Sequence, residues 1–80
     1  MQIQPIHWYY AEQQKCWIGK TNGLFSHIQM RVMPLHSVFE ECLLDSSISG
    51  FRMQTVIGID NAKQKAQEYL NSYAMSLIIT

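Results

Sequence analysis

The chain has 80 residues, 48% apolar and 15% charged, with six Lys+Arg balancing six Asp+Glu for a formal net charge of zero. That length excludes a two-domain reading, and the apolar content excludes a disordered chain. The balanced charge argues against a nucleic-acid binder held by phosphate contacts, which needs clustered surplus cations. A core this small contributes only about 3–5 kcal/mol after chain entropy, so a partner protein or a homodimer would be a useful supplement.

The two cysteines, Cys16 and Cys42, form no C-x-x-C pair and are too few for a disulfide framework, so both are read as reduced thiols. The first residues lack a basic start followed by an apolar stretch, and no apolar run approaches a bilayer's thickness. A cytoplasmic protein without membrane contact is expected.

In chain order, the predicted elements are short strands within 6–58 followed by one helix over about 61–78. Aromatic His7 to Tyr10 reads as a first strand and Cys16 to Lys20 as a second. Asn22-Gly23 has the chemistry of a two-residue type I′ hairpin turn. That turn would pair Trp17 with Ile28 and Ile18 with His27, placing Trp17, Leu24, Ile28, Met30 and Val32 on a core face. Cys16, Ile18, Lys20, Phe25, His27, Gln29 and Arg31 would take the other face.

Pro34 ends that ladder. Ser37 to Leu44 reads as the next strand, with Phe39, Glu41 and Leu43 inward, and Asp45 to Gly50 as a Ser/Gly turn. Phe51 to Ile57 alternates as a half-buried last strand. Asp60 is expected to cap the helix. The helix should bury Ala62, Ala66, Tyr69, Leu70, Tyr73, Ala74, Leu77 and Ile78, with Lys63, Gln64, Lys65, Gln67, Glu68, Asn71 and Ser72 opposite. The fold class is therefore α+β, a single domain over 1–80: a four- or five-stranded antiparallel meander with one C-terminal helix packed on one face.

The residues that could carry chemistry do not assemble. Glu40 and Glu41 are adjacent on a strand and point to opposite faces, so they cannot act as a carboxylate pair. His7, Cys16, His27, His36 and Cys42 show no zinc-ligand spacing, and no phosphate-binding glycine motif is present. No enzyme, no cofactor and no metal are expected. Residues 36–60 carry Arg52 against Glu40, Glu41, Asp45 and Asp60, a net charge of −3. That stretch is either a solvated edge that discourages aggregation or an acidic docking surface. Ile18 and Phe25, on the predicted outer face, are either covered by the N-terminal aromatics or free as apolar anchors. The partner-binding candidates are thus Glu40, Glu41, Asp45, Ile18 and Phe25. An alternative is a small nucleic-acid-binding module using Trp17, Phe25, Lys20 and Arg31.

Trp17-Ile-Gly19, the Leu24-Phe-Ser-His-Ile28 segment, the Ser/Gly turn and Ile59-Asp-Asn-Ala62-Lys-Gln-Lys-Ala66-Gln-Glu-Tyr69-Leu together resemble small phage-encoded orphan proteins. That group, a β-meander closed by one C-terminal helix, includes some anti-CRISPR inhibitors. The antitoxin halves of some toxin–antitoxin pairs look similar, although this chain lacks their Pro-Asp-x-Pro-Gly turn. The resemblance covers roughly residues 8–70 and implies an inhibitor that acts in the host cytoplasm by binding a host protein or complex, such as a CRISPR-Cas defence complex, and occupying its nucleic-acid or partner surface. It transfers no functional residue.

Overall fold

The structure, a computed structural model, describes residues 5–21, 23–36 and 38–79. Asn22 and Ser37 lie outside the described residues, as do the side chains of Leu24, Leu77, Ile78 and Ile79. Five strands, β1 (His7–Ala11), β2 (Cys16–Lys20), β3 (Gln29–Pro34), β4 (Glu41–Ser46) and β5 (Gln54–Ile57), form one antiparallel sheet in sequential order. Helix α1 (Ile59–Ile79) packs across β3, β4 and β5 on one face. The expected meander with a single C-terminal helix is the fold observed.

Alternation sorts the sheet residues. Met30, Val32, Cys42, Leu44 and Val56 face α1, which answers with Ala62, Ala66 and Leu70; all eight are buried. Ala62, Ala66 and Ala74 have no exposed surface, and such short side chains let the helix backbone approach the sheet closely. No helix of the described residues is long and apolar enough to cross a membrane.

The β2–β3 connection departs from the expected tight hairpin. Pairing is Trp17 with Val32 and Ile18 with Arg31, four positions from the predicted register, and residues 21–28 form the connection. A 3₁₀ turn at Gly23–Phe25 begins at a left-handed glycine (φ 86°), and Ser26 and Ile28 donate backbone N–H bonds to the Gly23 and Phe25 carbonyls. The longer loop lets Phe25 and Ile28 fold inward: Ile28 is 5% exposed and Phe25 meets Tyr73 edge-to-face at 6.2 Å. Burying two large apolar side chains outweighs the turn preference of a dipeptide. Because the shift is even, the β2 and β3 residues keep their predicted faces, whereas Phe25 does not.

The next strand is also corrected. Val38 and Phe39 form a turn, Glu40 takes a left-handed conformation (φ 56°), and β4 starts only at Glu41. Cys42 and Leu44 point inward, not Phe39, Glu41 and Leu43; Phe39 is 68% exposed. The last strand is shorter than expected and faces α1 through Val56, leaving Met53, Thr55 and Ile57 exposed.

Helix α1 begins before Asp60. Ala62 donates its N–H to the Gly58 carbonyl, so Gly58 (φ 90°) stands at the cap position and Asp60 lies in the first turn. The supposed polar face is partly buried: Gln67 Oε1 accepts the Ile6 N–H at 2.8 Å, while its Nε2 donates to Asn71 Oδ1. Tyr69, expected inside, is 39% exposed, its hydroxyl accepting from Gln54 Nε2.

Candidate partner-binding surface

One end of the molecule gathers the β3–β4 loop and the start of α1. Leu35 donates its N–H to the Glu41 carbonyl and Gly58 donates to the Glu40 carbonyl, both at 2.9 Å, which pins the loop to the sheet and to the helix entry. His36 and Glu40 both adopt left-handed backbone conformations (φ 55° and 56°). For side-chain-bearing residues such conformations cost of order 1 kcal/mol, so the surrounding bonds must hold them. The result is a projecting tip on which Val38 is 93% and Phe39 68% exposed, with Leu35 also exposed at its base.

Beside the tip lies an open cleft of about 620 Å³, lined among others by His36, Glu40, Glu41, Gly58, Asp60 and Asn61. Three acidic residues therefore border one cleft, and Asp60 also sits where the positive end of the helix dipole favours an anion. Cys42 is at its floor, nearly fully buried, its Sγ donating to the Glu40 carbonyl at 3.6 Å. Burial pushes the Cys42 thiol up from its ordinary value, which keeps it protonated and a poor nucleophile.

The sequence-predicted site is thus redistributed. Glu40 and Glu41 are adjacent to one another in this cleft, but Asp45 lies four residues along β4, about 13 Å away at strand spacing. There it pairs with Arg31 across the outer face at 2.5 Å, and that guanidinium holds its carboxyl below the usual range. Ile18 is on the outer face as expected, yet only 4% exposed, so it is not free to anchor a partner. Phe25 is spent on Tyr73.

The residues of the nucleic-acid alternative are divided between faces. Trp17 and Phe25 pack on the α1 side, whereas Lys20 and Arg31 belong to the opposite face, Arg31 already paired. Among the described residues no group of three or more His, Cys, Asp or Glu could hold a metal ion. Sequence reasoning counted Asp60 in the acidic stretch and as the helix cap without naming it as a binding residue, and it missed Val38 and Phe39. Their signal was two large apolar residues directly before the Glu40-Glu41 pair, which strand alternation had absorbed. No family model, no curated protein and no solved structure matches the chain.

Proposed function

We propose that this protein is a non-catalytic protein binder that presents the Val38–Phe39 tip and the Glu40, Glu41, Asp60 carboxylates to a basic groove on its partner. The observation that carries this reading is the exposure of Val38 and Phe39 on a loop held by backbone bonds at both ends. A large apolar side chain on a pinned loop has little ordering entropy left to lose on binding, and aromatic anchors ringed by polar groups dominate interface energetics. The carboxylates favour a cationic rim on the partner and speed encounter with it. A basic groove is a nucleic-acid path, so occupancy alone would inhibit. In that sense the likeness to phage-encoded inhibitors of defence complexes such as CRISPR-Cas supports the reading.

A photo-crosslinking residue placed at Phe39, and as a control at Met75, tests it in a bacterial lysate. The tip position should trap a specific basic protein that untagged wild type competes away. With that partner purified, Phe39→Asp should weaken binding about thirtyfold or more, as loss of an interface anchor does. Equal affinity of Phe39→Asp and wild type, or trapping only from Met75, overturns the proposal. Tight nucleic-acid binding at physiological salt would overturn it as well.

A further inference from the structure

We propose that β5 is a pairing edge for a second copy of this chain, the two copies related by a two-fold axis through Thr55. The first support is the backbone. Leu35 donates to the Glu41 carbonyl and Ser47 to the Gln29 carbonyl, so the odd-numbered residues of β4 spend their bonds on β3; Gly58 donates to the Glu40 carbonyl, so the even-numbered ones bond to β5. In an antiparallel ladder this alternation gives Val56 and Gln54 to β4 and turns the N–H and C=O of Thr55 and Ile57 outward. Thr55 and Ile57 are exposed, and β5 closes the sheet on that side. The Ile57 carbonyl accepts from Asn61 Nδ2 and retains a second lone pair.

A two-fold axis through Thr55 makes Thr55 exchange both backbone bonds with its copy and sets Met53 against Ile57 of the second copy, twice. Met53 is 55% and Ile57 62% exposed, so the pairing covers two of the largest exposed apolar side chains with each other. On the helix side the charges match without adjustment. Gln54 bonds to Tyr69 and Ile57 to Asn61, so α1 runs back along β5 with residues 66–67 level with Thr55. Lys65 and Glu68 flank that level and line the groove between edge and helix. The axis therefore brings Lys65 of each copy opposite Glu68 of the other, an isologous contact in which opposite charges meet at both ends. An exposed edge strand is otherwise an aggregation hazard, and closed pairing removes it. This surface leaves the Val38–Phe39 tip uncovered, although it adjoins the acidic cleft, where Glu41 pairs with Ile57 and Asn61 borders both grooves.

Sedimentation velocity across a concentration series, with far-UV circular dichroism as the check on folding, tests the proposal. Wild type should dimerise. Thr55→Pro removes the donor on the axis without touching the β4 ladder and should leave a folded monomer. Lys65→Glu, at an exposed helix position where folding is undisturbed, should weaken the dimer about tenfold or more by opposing like charges. Adding Glu68→Lys to it should restore the wild-type constant to within about threefold. A wild type that stays monomeric throughout overturns the proposal. So does a dimer indifferent to Lys65→Glu, which would be using another surface such as the β1 edge.

Discussion

The ammonium of Lys63 lies 3.9 Å from the ring centroid of Trp17, on the helix-facing side of β2, and 5.8 Å from that of Trp8. Tyr10 meets the same Trp17 ring edge-to-face at 5.3 Å. One cation thereby ties α1 to the β1–β2 end of the sheet, which the helix backbone does not reach. Being half-buried, the pair should contribute about 1 kcal/mol. Lys63→Met keeps the apolar stem and removes the charge, so it should lower stability by that amount in urea unfolding and change the tryptophan emission. An unchanged midpoint would show that the stem alone matters.

Asp45 predicts the acid limb of the stability curve. Its native carboxyl is held below the usual value, first by the hydrogen bond from Arg31, so the folded state binds the proton less readily than the unfolded chain. The stabilisation is complete above the unfolded value near about 4 and is lost as pH falls through the lower native one. Arg31 is 42% exposed, which limits the pair to about 0.5–1 kcal/mol. Asp45→Asn should remove that contribution at pH 7 and flatten the curve below about pH 4, measured by thermal unfolding across pH.

Gly19 is fixed by close approach rather than by backbone freedom. A Cβ there would meet Ile6 Cγ2 at 2.5 Å and the Trp8 ring at 2.9 Å. Ile6 can rotate away, but the indole packed on β2 cannot move as readily. Gly19→Ala should cost about 1–3 kcal/mol through overpacking, seen as a lower melting temperature. A neutral effect would show that β1 shifts freely.

The two sides of α1 should respond differently to truncation. Leu70 is 1% exposed within the core cluster, and Leu70→Ala should cost about 2–5 kcal/mol, enough to unfold much of so small a domain. Gln67→Ala leaves the Ile6 N–H without its acceptor and should cost about 1 kcal/mol, with faster amide exchange at Ile6. Comparable losses from both would contradict the assigned packing.

The sequence by itself determined the elements whose signal is local. Strand β2 runs from Cys16 to Lys20 as read, and Ala62, Ala66, Leu70 and Ala74 are buried as their spacing required, because period and composition within one element decide which side can be buried. Tertiary structure decided whatever depended on distant residues. Phe25 and Ile28 were drawn off the hairpin by the core under α1, shifting its register by four positions. The β4 face was misread because Phe39 was counted in the strand on the side of Glu41 and Leu43, and Glu40 on that of Cys42 and Leu44; the turn at Val38–Phe39 takes both out, and Val32 and Val56 come alongside Leu44 and Cys42. The acidic surface changed members for the same reason: Arg31 reached Asp45 across the sheet, while chain reversal at Gly58 carried Asp60 to Glu40 and Glu41. Charges close in sequence repel or screen only locally, and which of them share a cleft is set by how the strands between them pair.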